Sequence, residues 1–155
     1  MKAVLQRVTR AAVAINGQTH AEIAHGMVIL LAVHRDDEQE DIAYLAHKIL
    51  NLRIFADAQQ RFNLSVRDIS GSLLIIPQFT LFAATRKGNR PSFSTAAGSE
   101  KARRMTQAFL SYMQARYEQV FCGVFQAHMQ VSLTNDGPVT IIIDSQERKR
   151  SRRAV

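Results

Sequence analysis

Apolar and polar positions recur along this chain with two different periods. Ala3 to Val8 is a short, mostly apolar run, and Val13-Ala14-Ile15 leads into Asn16-Gly17. Asn-Gly is the pair best suited to a two-residue hairpin, because both residues tolerate positive φ. Met27 to Val33 is continuously apolar, as a strand covered on both faces would be. From Glu38 to Leu50 the period lengthens: Ile42, Leu45, Ala46, Ile49 and Leu50 fall at i, i+3, i+4, i+7 and i+8, one stripe of a helix, with Asp36 and Asp37 suited to its N-terminus. Ser72 to Ile76 reads as another buried strand, ended by Pro77. Ser99 to Val120 reads as a second helix, with Ala102, Met105, Phe109, Tyr112, Met113 and Val120 roughly on one face. Met129 to Leu133 and Val139 to Ile143 read as two closing strands joined by a turn at 134–138. This order predicts a single mixed α/β domain: a curved, barrel-like, mainly antiparallel sheet with two helices packed on one side, in α/β/β layers.

Composition narrows the setting. The 155 residues suit one domain, and 46% hydrophobic content is enough for a core at that size. No stretch approaches the ~18–20 apolar residues of a membrane span, and the N-terminal run is too short and too soon broken by Arg7 to read as a signal peptide. A single cysteine, Cys122, cannot form an internal disulfide and fits a reducing compartment, so the expected location is cytoplasmic. The net charge of +7 favours a polyanionic partner such as nucleic acid. Much of that charge is terminal: Arg148, Lys149, Arg150, Arg152 and Arg153 fall in the last eight residues. Residues 1–145 are therefore read as the domain and 146–155 as a disordered basic tail, either an RNA-gripping arm or a solvated end.

Familiar chemistry is missing. There is no glycine-rich phosphate loop, no His-Glu-x-x-His and no Gly-x-Ser-x-Gly elbow. The five histidines form no recognisable ligand set, so neither a metal nor a cofactor is expected. Three segments stand out. In Pro77-Gln78-Phe79-Thr80-Leu81, strand alternation would put Gln78 and Thr80 on one side and Phe79 on the other. That is either a site rim or an ordinary strand end. Arg86-Lys87-Gly88-Asn89-Arg90-Pro91-Ser92-Phe93 interleaves basic residues with an aromatic, as a loop touching RNA would, or is simply solvated. Asn135-Asp136-Gly137-Pro138-Val139-Thr140 taken alone is a turn.

Taken together, Gln6-Arg7-Val8, Gln78-Phe79-Thr80-Leu81, Arg90-Pro91-Ser92-Phe93, Met129-Gln130-Val131-Ser132-Leu133 and Asn135-Asp136-Gly137-Pro138-Val139-Thr140 resemble, in order and spacing, the D-aminoacyl-tRNA deacylases. The resemblance runs from Met1 to about Ile143. It implies a homodimer with its active site at the subunit interface, acting on D-aminoacyl-tRNA. It implies a pocket floor of Gln78, Phe79 and Thr80. It also implies a cis Gly137–Pro138 bond that reaches into the partner's pocket, braced by Arg7. Asn135, Met129 and Thr140 go with the substrate-binding set, and Arg86, Lys87 and Arg90 with RNA contact. One departure is Pro77, where the family usually has Ser; it removes a hydroxyl and an N–H donor. A Pro-Gln pair is shared with a related branch of different specificity. That branch has Ala where this chain has Phe79, and it lacks the Asn-x-Gly-Pro-x-Thr spacing, so the D-specific resemblance stands.

The implied reaction is hydrolysis of an activated ester, releasing the D-amino acid and tRNA. Positioning and N–H donors at Phe79 and Thr80, with help from the ribose 2′-OH, would suffice. The alternative is Thr80 as nucleophile, though no base is evident beside it. Backbone at Gly137-Pro138 would exclude L side chains, while glycine, being achiral, would pass. The rival from another class is a non-catalytic, nucleic-acid-binding dimer using loop 86–90 and the tail.

Overall fold

The computed structural model describes residues 1–149. Its frame is one long strand, β1 (Lys2–Ile15), hydrogen-bonded along both edges. Asn16 and Gly17, at φ 51° and 78°, turn the chain into β2 (Gln18–Ile23). β2 pairs with the far half of β1 (Ala11↔Ile23), and β3 (Gly26–Ala32) pairs with the near half (Val8↔Gly26, Lys2↔Ala32). The two strands are thus collinear pieces of one hairpin arm. β6 (Ser72–Pro77) adds parallel to β3, and β7 (Val120–Cys122) adds parallel to β6. β4 (Phe55–Ala56) and β5 (Phe62–Leu64) form a separate small ribbon.

The other edge of β1 is taken by β8 (Gln130–Asp144). The two closing strands expected from the sequence are therefore one strand, and the expected turn is a bulge within it. The reason is the length of β1: its 14 residues accept both halves of β8, from Ala14↔Gln130 to Lys2↔Asp144.

The sheet buries both faces. One face, with Ala3, Leu5, Met27, Ile29, Leu31, Leu73 and Ile75, packs under α1 (Gln39–Asn51) and α2 (Ser99–Gln114). The opposite face holds a second cluster of Val8, Ala11, Val13, Ile23, Val28, Leu74 and Ile76. β1 changes face between Val8 and Ala11, where its pairing with β8 also slips. That slip coils the sheet onto itself and makes the third layer.

Both helices follow their apolar stripes, with corrections at the ends. Glu38 caps α1 in a reciprocal capping box with Asp41. Asp37 is buried instead, accepting from the Met1 α-ammonium at 2.5 Å and from His34 N–H. α2 stops at Gln114, short of the expected Val120, because Tyr117 turns inward to donate to the Gly71 and Val66 carbonyls. Val120 is then free to enter β7.

After β8, Ser145–Lys149 make a 3₁₀ turn against α1, and Arg148 donates to Asp41 at 3.0 Å. Arg148, expected in a free tail, is part of the domain; 150–155 lie outside the described residues. Burial pushes the Asp41 carboxyl up. Hydrogen bonds from Arg148, Glu38 N–H and Ser145, with the nearby α-ammonium, outweigh it and hold the group at about 2. A depressed carboxylate contributes stability above its unfolded pKa, and this is lost as pH falls through its folded one. Asp41→Asn is therefore expected to lower the Tm at neutral pH, with the difference from wild type fading as pH falls from about 4 to about 2. Thermal unfolding against pH checks this.

Candidate active site

Two separate features carry the residues singled out from the sequence. The first is a cleft of about 560 Å³ at the end of β6, between β3, the start of α2, the 123–128 loop and the start of β8. Gln78, Phe79, Met129 and Gln126 line it. Phe79 and Thr80 do not continue the strand, as alternation suggested, but open a 3₁₀ turn, Phe79–Phe82. Pro77 ends the ladder, and Gln78 is anchored by donating its N–H to the Leu31 carbonyl at 2.7 Å. The Gln78 amide then donates to the Thr80 hydroxyl oxygen. Among the described residues, the turn's own hydrogen bonds start at Leu81 N–H, so they do not occupy the N–H groups of Phe79 and Thr80.

Phe79 is 55% exposed, and its ring meets Phe93 edge to face at 5.0 Å. This contact ties the rim to the basic loop. Ala84 and Ser92 bridge the loop's base, while Arg86, Lys87 and Arg90 are exposed.

The second feature is the bulge in β8. Gln6 pairs with Thr140 and Val8 with Asn135, so residues 136–139 stand opposite Arg7 alone. The surplus residues arch outward, leaving Gly137 and Pro138 exposed, joined by a cis peptide bond. Both sides of the arch are tied down. On one, Asn135 accepts from Val139 N–H at 3.0 Å, and the Gln6 amide oxygen accepts from Asn135 and from the Thr140 hydroxyl. On the other, buried Arg7 donates to the Asp136 carbonyl and meets its carboxylate, both at 3.1 Å, and reaches the Ile54 carbonyl at 2.5 Å. Its guanidinium also lies over the Phe62 ring, 5.3 Å from the centroid. Gly137, at φ 123°, has no room for a side chain: an added Cβ would come within 3.0 Å of the Arg7 guanidinium and 2.8 Å of Val139.

The cleft and the arch do not meet within one chain. Pro77 pairs with Leu31, Leu31 with Ala3 and Ala3 with Ile143, whereas the arch faces Arg7. Three strand spacings of ~4.8 Å and four residues at ~3.3 Å separate them by on the order of 20 Å. Met129, grouped with the arch in the sequence reading, lines the cleft. Sequence reasoning missed Gln6, Ile54 and Phe62 around the arch and the cleft wall from Phe125 to Ala127. No local pattern marks the wall, whereas Gln6 lay within a segment already singled out. Among the described residues, no helix is long and apolar enough to cross a membrane.

The family described as D-Tyr-tRNA(Tyr) deacylase matches residues 4–144. The D-aminoacyl-tRNA deacylase of Dictyoglomus turgidum is 46% identical over 153 residues, 99% of this chain and 98% of that protein. That of Caldicellulosiruptor saccharolyticus is 50% identical over 147 residues, 95% and 99% of the two chains. Among solved structures, the c-Myc DNA unwinding element binding protein superposes with a TM-score of 0.89 at 40% identity, covering 93% of this chain and 98% of that one.

The brace is testable without any ligand. Arg7→Leu strands the Ile54 and Asp136 carbonyls, and is expected to cost about 2–3 kcal/mol in denaturant unfolding. Amide exchange should accelerate at residues 135–139 more than in β3.

Proposed function

The chain belongs to the D-Tyr-tRNA(Tyr) deacylase family, and on that premise we propose that it frees tRNA from D-amino acids at a site shared between two copies. It is a hydrolase of the aminoacyl ester bond. The cleft of one copy takes the terminal adenosine and aminoacyl group, and the Gly137–Pro138 arch of the other closes over the amino acid.

The observation that carries this reading is the separation of two half-built features. The cleft rim leaves Phe79 in the open, and the arch, braced from behind by Arg7, leaves Gly137 and Pro138 exposed and far from the cleft of its own chain. A second observation favours the pairing. Among the described residues, β8 pairs with β1 alone, so a 15-residue edge is left open, with Val131, Leu133 and Ile142 exposed along it. An edge that long and apolar calls for a cover. A second copy placed symmetrically covers both edges at once.

Chiral selection follows from stiffness. D and L isomers differ in where the side chain leaves Cα, so a wall that cannot yield rejects one of them. The arch suits that work because Arg7 and Asn135 hold its two flanks, and because Gly137 lets backbone come close to a ligand. A wall of this kind tests handedness alone, so varied D side chains, and glycine, fit the same site.

For the chemistry, the N–H groups of Phe79 and Thr80, which the turn's own hydrogen bonds leave unused, receive the developing oxyanion in this reading. The Thr80 oxygen already accepts from Gln78, which draws electron density from it and makes it a poorer nucleophile. That favours water assisted by the substrate's own 2′-OH. Pro77 costs little in this scheme, since the donors lie beyond it. Arg86, Lys87 and Arg90 meet acceptor-stem phosphates.

Three experiments test the reading. D-Tyr-tRNA should be cleaved at least a hundredfold faster than L-Tyr-tRNA, and equal rates would refute chiral selection. Mixing a Gln78 variant with a Pro138 variant, each inactive alone, should restore activity through the heterodimer's one intact site; no recovery would sink the shared site. On the chemistry, Thr80→Ala is expected to keep most of its activity, while a substrate ending in 2′-deoxyadenosine is cleaved poorly. The reverse pattern would make Thr80 the nucleophile.

A further inference from the structure

A second groove, of about 680 Å³, runs beside the cleft between α2 and β7. The two depressions share Pro77, Thr106 and Phe125 as a common wall. Resting on the deacylase reading of the cleft, we propose that this groove seats the nucleotide that precedes the terminal adenosine of the tRNA 3′ end. Its base lies on the apolar floor, and its phosphate lies against Arg103 and Arg104.

Three features of the groove point to that occupant. The first is continuity. A strand whose last nucleoside fills the cleft must leave it over some part of the rim, and the shared wall is where the cleft opens into a second depression of comparable size. The second is the floor. Ile75, Leu110 and Cys122 are apolar, and the Phe125 ring carries the Arg103 guanidinium 5.0 Å from its centroid. An aromatic ring and a guanidinium plane are the surfaces on which unpaired RNA bases stack, whatever their identity.

The third feature is charge. Arg103 and Arg104 follow one another on α2, and both are exposed on the groove. Among the described residues, neither is within ion-pair distance of a carboxylate. Among the described residues, Glu100, one turn earlier, is the only acid lining the groove, so that lining carries a net positive charge. Arg103 is also fixed in place. It donates to the Gln126 amide oxygen at 2.6 Å, and Gln126 donates on to the Ser99 hydroxyl at 2.6 Å. This chain lashes the 123–128 loop to the start of α2 and holds the sill between cleft and groove. Arg104 lines the groove but not the cleft, and so offers the cleaner probe.

The test compares three D-tyrosyl esters, on adenosine, on the trinucleotide CCA and on whole tRNA, with wild-type protein and with Arg104→Ala and Arg104→Glu. The adenosine ester does not reach the groove. The expected result is a roughly tenfold or greater loss of kcat/KM, carried by KM, on the trinucleotide and the tRNA, with the adenosine ester within twofold of wild type. The salt dependence of log KM for the trinucleotide should also shallow by about 0.7 for each phosphate contact removed. Equal losses on all three esters, or no loss on any, would overturn the subsite. A loss confined to whole tRNA would overturn it too, by placing the arginines against the acceptor stem. A wild-type protein that cleaves none of the three would instead overturn the deacylase reading of the cleft, and the subsite with it.

Discussion

Most of this molecule depends on how β1 shares its hydrogen bonds. It offers one edge to the β2–β3 arm and the other to β8, and the two partners treat it differently. The arm keeps step with β1 from Lys2 to Val13. β8 does not, spending four residues where β1 spends Arg7. A strand cannot store that excess within its plane, so the surplus leaves the sheet as an arch. Without the second partner holding Arg7 in place from behind, such an arch would be a loose loop.

Arg7 converts the mismatch into a rigid feature. Its guanidinium has five donors in a fixed plane, and the structure uses it to join the arch to the β4 region through Ile54 and Phe62. A lysine could supply the charge but not the fork or the flat face over the ring. The polar ties through Gln6, Asn135 and Thr140 complete the frame from the other side of β8. Rigidity at the arch is thus a product of two strands and a ribbon, although only a few residues are exposed there.

The rest of the fold divides the labour. The helices cover one face and lend the start of α2 to the cleft, while β6 delivers Gln78 to its end and Pro77 stops the ladder there. The 3₁₀ turn that follows exposes backbone donors that a continuing strand would have committed to a neighbour. The open edge of β8 and the exposed Phe79 are costs that the single chain carries. Charge lies near these features: Arg103 and Arg104 of α2 line the groove beside the cleft, and the segment that carries the basic loop meets the cleft rim through Phe93.

Much was legible from the residues in order. Period and turn chemistry located the first hairpin, the buried strands β3 and β6 and both helix starts, because those depend on neighbours within a few positions. The resemblance picked out Arg7, Gln78 to Thr80 and Gly137-Pro138. Local pattern failed where an element's fate rests on a distant partner. Residues 134–138 read as a turn, and only a β1 long enough to pair on both sides made them a bulge. Val120 read as helix until Tyr117, reaching Gly71 and Val66, ended α2 early. Arg148 read as tail, but Asp41, more than a hundred positions away in the chain, holds it. The distance between cleft and arch was likewise decided only by the register of four strands, since spacing along a chain carries no information about spacing across a sheet. Sequence singled out the residues proposed for the site. Tertiary structure decided which of them can act together, because that depends on pairings between segments far apart in the chain.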